Sequence, residues 1–361
     1  IFLRFSYSFS INCRTFALKS NCNKQYQIAT SNIKMKTYQQ LWQSLTPLYD
    51  AGEAQAIVRT VLDVKYGMTL TDIICGKVNE ISADEERKLE EIIIRLQKGE
   101  PVQYVLGEAD FAGRTFHVEP GVLIPRPETA ELCQWIEKDM IEKSIVSSED
   151  SPEDSSGNSP QATDDARRIL DICTGSGCIA ITLGLNIPNS EVTGWDISED
   201  ALRIAQGNVE MMKAGNVRIE HQDALALPKA AETDNEKMKG NDDKEVVKPK
   251  GEAKTPSTQK WDLIVSNPPY ICEKEKADME KNVLEHEPSL AIFVPDENPL
   301  KFYRAIAEYA SSALKSGGAL YFEINPIYEK ETREMLLKLD FKDIETKEDA
   351  FGKKRMMRAI K

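Results

Sequence analysis

Asn267-Pro268-Pro269-Tyr270 closes the apolar run Trp261-Asp262-Leu263-Ile264-Val265-Ser266, and its residue types could hold a nitrogen nucleophile. Two successive prolines remove two backbone donors and fix φ, so the carbonyls of Asn267 and Pro268 stay free and rigidly aimed. With the Asn267 amide oxygen and the Tyr270 ring, the turn could accept hydrogen bonds from a planar NH2 group and cover its face. Asn-Pro and Pro-Pro are also ordinary turn signals, so by itself the turn reads equally well as the end of a strand.

Upstream residues decide between these readings. Residues 168–173 read as a buried strand that leads into Thr174-Gly175-Ser176-Gly177-Cys178-Ile179-Ala180, the opening of a helix. A second strand over 192–195 ends in Asp196, about twenty residues beyond the glycines, the distance at which a β-α-β unit brings an acid to ribose hydroxyls. A third, over 217–221, is followed by Asp223. Glycine loop and acids would thus meet at the carboxyl edge of one sheet, where open α/β sheets bind ligands. Gly175-x-Gly177-x-x-Ala180 also satisfies a dinucleotide fingerprint. A pyrophosphate gains from positive charge, however, and Asp171 places a carboxylate beside the loop, which suits a cationic ligand such as the sulfonium of S-adenosylmethionine.

The stretch from about Arg95 to Lys361 resembles the release factor glutamine methyltransferase family, a branch of the class I S-adenosylmethionine enzymes. Besides the Asn-Pro-Pro-Tyr turn, the matching pieces are Gly99-Glu100-Pro101-Val102-Gln103-Tyr104, Phe111-Ala112-Gly113-Arg114-Thr115-Phe116 and Val122-Leu123-Ile124-Pro125-Arg126-Pro127-Glu128-Thr129. Asp171 with Thr174 to Ala180, Asp196-Ile197-Ser198-x-x-Ala201-Leu202 and Glu287-Pro288-Ser289-Leu290-Ala291 complete the set. DNA adenine methyltransferases share the turn; joined to the Ile-Pro-Arg-Pro-Glu-Thr block it becomes specific.

The resemblance implies a Rossmann-like α/β sheet of seven strands, the last inserted antiparallel, with a small N-terminal helical bundle joined to it by a β-hairpin. It implies transfer of a methyl group from S-adenosylmethionine to the side-chain amide of the glutamine in the Gly-Gly-Gln motif of peptide chain release factors. The alternative is an amino-group methyltransferase acting on a nucleic-acid base or a ribosomal protein glutamine. Catalysis would fall to Asn267, Pro268 and Tyr270, with Asn267, Pro268, Pro269, Tyr270 and Arg126 binding the substrate. The cofactor would be held by Asp171, Thr174, Gly175, Ser176, Gly177, Asp196, Ile197, Asp223, Ala224 and Asn267. Arg126, flanked by prolines, could equally pair with a carboxylate of the sheet domain. Four positions depart from the family pattern: Cys173 stands where a glycine is usual, Ala130 where a Glu often follows Glu-Thr, and Asn325 and Tyr328 replace the usual Gly and Gln after Glu-Ile.

Composition agrees with this reading. The 361 residues suffice for a large α/β domain and a smaller one. A net charge of −13 speaks against a surface that binds nucleic acid, and Lys353, Lys354, Arg355 and Arg358 read as a solvated face. Seven scattered cysteines imply a reducing compartment, and the three histidines lack ligand spacing, so no metal is expected.

Residues 35–105 carry helical periodicity, with Ile57, Val58, Val61 and Leu62 on one face and Leu89, Ile92, Ile93 and Leu96 on another, the latter behind a Ser82-x-x-Glu85 capping box. The resemblance implies that this bundle helps dock the protein substrate. Residues 106–128 form the hairpin linker and 129–361 the catalytic domain, interrupted by polar insertions at about 147–165 and 229–260 that are expected to be disordered. Residues 1–34 contain basic but no acidic residues and precede Met35-Lys36-Thr37. They read as an extension upstream of the start, or else a transit peptide. A cytoplasmic monomer without membrane contact is expected, or a mitochondrial matrix protein if the transit reading holds.

Overall fold

The computed structural model describes residues 36–149, 166–228 and 260–361, the side chains of 143–149 excepted. The extension at 1–34 and nearly all of the two insertions lie outside the described residues. By its internal contacts the chain divides after Leu106 into two units.

The first unit contains α1 (Tyr38–Gln43), α2 (Ala51–Tyr66), α3 (Leu70–Ile74), α4 (Ala83–Leu96) and α5 (Val102–Leu106). Side-chain caps from Thr37, Asp50, Thr69 and Ser82 satisfy first-turn amides, and Glu85 closes the Ser82 capping box. Ile57, Val58, Val61 and Leu62 of α2 join Leu89, Ile93 and Leu96 of α4 in one buried cluster, with Ile92 packed partly buried against it. The 3.6-residue spacing of these side chains is what forces helices here.

The second unit opens with a hairpin, β1 (Glu108–Phe111) and β2 (Arg114–His117). Its two-residue turn is Ala112-Gly113, both at positive φ (49° and 74°), the geometry that matches strand twist. Phe111 and Phe116 enter the core on one side of the sheet, and Asn208 bonds both the amide and carbonyl of His117 (2.8 and 3.0 Å). The hairpin is thus part of the sheet unit.

There follow α6 (Pro127–Glu149), β3 (Arg167–Ile172), α7 (Cys178–Asn186), β4 (Ser190–Asp196), α8 (Glu199–Met212), β5 (Val217–His221) and β6 (Trp261–Ser266). The chain continues through the short β7 (Ile271–Cys272), α9 (Lys281–His286), α10 (Ser289–Ile292) and β8 (Phe293–Val294). It ends with α11 (Lys301–Ala313), β9 (Leu314–Glu323), α12 (Glu329–Lys338), β10 (Lys342–Glu348) and β11 (Lys354–Ile360). The main sheet has seven strands in the order β10-β11-β9-β6-β3-β4-β5, and only β11 runs against the rest. This is the expected seven-stranded α/β architecture with its last strand inserted antiparallel.

Period-2 alternation sends neighbouring strand residues to opposite faces. Ile169, Leu263, Val265, Tyr321 and Met356 enter the cluster beneath α6 and α7, whereas Leu170, Ile264, Leu320, Phe322 and Met357 enter the one beneath α11 and α12. Successive strands pass from β3 to β4 on one side and from β6 to β9 on the other, so the order reverses around β3. That switch point opens a crevice at the strands' carboxyl ends.

Candidate active site

A cleft enclosing about 950 Å³ of empty space, part of it open to solvent, occupies that crevice. The loop after β3 supplies Cys173, Thr174, Gly175 and Ser176; the end of β4 supplies Asp196 and Ile197; the segment after β5 supplies Asp223 and Ala224; the turn after β6 supplies Asn267 and Pro269. Arg126 and Thr129 close one side, and Leu290, Ala291 and Phe302 form an apolar wall. Asp171, Gly177, Pro268 and Tyr270 do not line it.

The loop is shaped by backbone chemistry. Gly177 adopts φ 80°, and a Cβ there would sit 3.1 Å from Ile181 and 3.2 Å from Ala205, so a larger residue would both strain the backbone and crowd α7 against α8. Asp196 accepts the amides of Gly175 (2.9 Å) and Ser198 (3.0 Å), which ties the glycine loop to the end of β4. Burial pushes its carboxyl up, and the backbone amides of Ser198, Gly175 and Ile197 oppose that shift. Asp223 accepts the Leu225 amide at 2.8 Å.

Asp171 requires a correction. Its carboxylate was expected to put negative charge beside the loop, but it is fully buried and turned inward, accepting Thr174 Oγ1 (2.5 Å) and the Ala180 amide (3.2 Å). Burial pushes its pKa up to about 7, against the pull of these two bonds. It braces the loop from behind, and the acids facing the cleft are Asp196 and Asp223.

Arg126 lines the cleft and also pairs with a carboxylate of the sheet domain, one of its two readings. Its Nη2 donates to Glu287 at 2.6 Å, and Glu287 also accepts the Ile124 amide (3.2 Å) from a nearly inaccessible side chain. The Glu-Pro-Ser-Leu-Ala motif thereby fastens the proline-rich loop at the rim. Arg355 and Arg358, read as solvated, are drawn inward into ion pairs, Arg355 with Asp349 (3.2 Å) and Arg358 with Asp139 (2.5 Å) and Glu345 (2.7 Å). The strand β11 is covered on both faces, Met356 entering one core cluster and Met357 the other, which is why a basic cluster was a poor guide to exposure here.

Tyr270 does not present its ring to the cleft. The ring packs partly buried on the core under α11, and its hydroxyl lies 2.9 Å from Glu323 and 3.2 Å from Arg355. Asn325, one of the departures from the family pattern, is buried and donates to the Tyr270 carbonyl (3.1 Å) and to Glu275 (3.1 Å), so it buttresses the Asn-Pro-Pro-Tyr turn from beneath. Tyr328 meets Cys272 Sγ (3.3 Å) away from the cleft, and Ala130 packs into the core. Thr129 and Glu323 went unassigned in the sequence although both stood in quoted motifs. Only their contact across the fold, Thr129 Oγ1 to Glu323 Oε2 at 2.6 Å, shows their part.

Cys173 sits at φ 63°, the left-handed region that suits the glycine of the family pattern. A non-glycine residue there costs roughly 1–2 kcal/mol. Cys173→Gly is expected to add about 1 kcal/mol of stability, the gain being trimmed by the flexibility glycine brings to the unfolded chain. Thermal melting should show a rise of about 2–4 °C; a fall would mean that the thiol's packing outweighs the strain.

Matching against family models identifies a "Methyltransferase domain" over residues 163–325 and a "PrmC N-terminal domain" over 46–107. A release factor glutamine methyltransferase from Bacteroides thetaiotaomicron is 42% identical over 88% of this chain and 96% of its own length. The chain belongs to the release factor glutamine methyltransferase family. Relatives of the same name from Flavobacterium psychrophilum (34% identical, 90% of this chain and 98% of the relative) and Streptococcus pneumoniae (33%, 80% and 86%) extend the match. In this methyltransferase the cleft chemistry fits an adenosyl sulfonium. Two carboxylates, Asp196 and Asp223, line the cleft together with apolar Ile197, Ala224 and Leu290. Among the described residues no cluster of His, Cys, Asp or Glu is placed to hold a metal, and no helix is long and apolar enough to cross a membrane.

Proposed function

We propose that this protein transfers a methyl group from S-adenosylmethionine to the side-chain amide nitrogen of the glutamine in the Gly-Gly-Gln motif of peptide chain release factors, tuning translation termination. The observation that carries the chemistry is Asn267, which lines the cleft shared with Asp196 and Asp223 and commits its Nδ2 to Thr129 in the cleft wall (3.2 Å). No described residue bonds its Oδ1. That oxygen is the acceptor for an incoming NH2 group.

In this reading Asp196 receives the ribose hydroxyls, Asp223 and Ala224 the adenine, and Thr174, Gly175 and Ser176 the methionine portion. When bound, S-adenosylmethionine supplies an electrophilic methyl carbon. The protein's task is to hold the poor amide nucleophile in line at roughly 3–3.5 Å. Asn267 Oδ1 accepts one N–H group and the backbone carbonyl of Pro268, set in the chain between the cleft-lining Asn267 and Pro269, accepts the other, which fixes the nitrogen and raises its electron density. Tyr270, held by Glu323 and Arg355, keeps the turn rigid. Transfer of the methyl carbon would form the C–N bond as its bond to sulfur breaks, leaving the neutral thioether, and the nitrogen, now strongly acidic, would give its proton to water, so no dedicated base is required. Arg126 acts through its latch to Glu287 to shape the rim.

The N-terminal unit serves to dock the release factor. The protein acts as a cytoplasmic monomer, without membrane or direct nucleic-acid contact, in keeping with its charge of −13. Incubation with radiolabelled S-adenosylmethionine and purified release factor should label the wild-type factor and not its Gly-Gly-Gln glutamine-to-alanine variant. Label in nucleic acid, or in the alanine variant, would overturn the assignment.

A further inference from the structure

A chain of hydrogen bonds with a single permitted direction runs behind Asn267. It begins at Arg355, held by Asp349 at 3.2 Å, whose guanidinium can only donate and lies 3.2 Å from the Tyr270 hydroxyl oxygen. Tyr270 therefore accepts there and gives its own proton to Glu323 Oε1 (2.9 Å). The other carboxylate oxygen, Oε2, takes the Thr129 hydroxyl proton at 2.6 Å. Thr129 has no second proton, so towards Asn267 it can only accept. The group it meets, 3.2 Å away, must be Nδ2. Glu323 and Thr129 are each 2% exposed, so water does not compete for these bonds.

We propose that Thr129 and Glu323 are positioning residues that lock the Asn267 carboxamide with its oxygen toward the cleft, so that the site takes an NH2 donor and refuses a carboxylate. This rests on the reading of Asn267 as the acceptor of the substrate amide. An asparagine amide has two nearly isosteric ends, and nothing in the Asn-Pro-Pro-Tyr turn chooses between them. Presented the other way, Nδ2 would face the substrate NH2 donor to donor and would suit a glutamate carboxylate instead. The prolines hold the backbone of the turn, and the relay sets the chemical sense of its side chain. The assignment also explains why a carboxylate and a hydroxyl are buried together behind Asn267: burial pushes Glu323 up, and the Thr129 and Tyr270 hydroxyls and the Arg355 charge oppose that shift.

Thr129→Val removes the hydroxyl at nearly constant shape and frees the amide to rotate. Turnover of release factor should fall at least about tenfold, while its KM and the Kd for S-adenosylmethionine stay within about threefold. Thr129→Ser, which keeps the hydroxyl, should return turnover to within about threefold of wild type. Glu323→Gln, whose carboxamide no longer dictates the direction of the Thr129 bond, should reproduce the valine phenotype, and melting curves establish that each variant is folded. Full turnover in folded Thr129→Val, or failure of serine to rescue, overturns the relay. With Asn267→Ala as companion, the two readings separate: an inactive alanine variant beside a fully active valine variant removes the relay alone, whereas an active alanine variant removes the role of Asn267 and the relay with it.

Discussion

Asn267→Ala is expected to slow methyl transfer by roughly 10²–10³-fold, the loss seen when a single preorganised polar contact to a reacting group is deleted from an active site. Affinity for S-adenosylmethionine should stay within about threefold. The asymmetry follows from placement. Asn267 sits at the mouth of β6, its Nδ2 committed to Thr129 and its Oδ1 without a described partner, whereas the carboxylates suited to the nucleoside lie at β4 and beyond β5. Alanine would leave the nitrogen nucleophile with only the Pro268 carbonyl, unable to hold both its lone pair and its two protons in a fixed orientation. Single-turnover rates and calorimetric titration of the cofactor measure the two quantities separately. A large loss of cofactor affinity would move Asn267 into the cofactor's own contacts and refute the role given to it.

Asp196→Ala should produce the opposite pattern, raising the Kd for S-adenosylmethionine on the order of 10²-fold. Hydrogen bonds to a charged group are worth about 1.5–3 kcal/mol each, and a ribose offers two hydroxyls. The carboxylate also receives the amides of Gly175 and Ser198, so its loss loosens the glycine loop at the same stroke. Asp196→Asn, which retains one acceptor, should weaken binding about tenfold. Once saturated with cofactor, both variants should turn over near the wild-type rate, since neither alters the Asn-Pro-Pro-Tyr corner. An unchanged Kd in Asp196→Ala would remove this residue from the cofactor site.

Several features were legible before any fold was known because they are short-range. The Ser82 capping box, the alternation of Ile169 with Leu170 and of Leu263 with Ile264, and the glycine pair at 175 and 177 each arise from spacings of a few residues. Acids at the ends of β4 and β5 follow from the same logic, since parallel strands separated by helices must deliver their carboxyl ends to one edge. The misreadings of Asp171, Arg355 and Tyr270 share a cause as well: each is a polar residue whose direction is set by the partners it meets in the fold, and composition is silent on which way a side chain turns.

By itself, then, the amino-acid order determined the α/β class, the strand that ends in the Asn-Pro-Pro-Tyr turn, and the family to which the chain belongs, all of which rest on local periodicity and contiguous motifs. Tertiary structure alone decided how that turn is armed. Thr129 and Glu323 stand 194 residues apart, and Arg355 lies 85 residues from Tyr270. A hydrogen bond has a donor end and an acceptor end, so the sense of the Asn267 amide is the sum of directions imposed by residues that meet only when α6, β6, β9 and β11 are packed side by side.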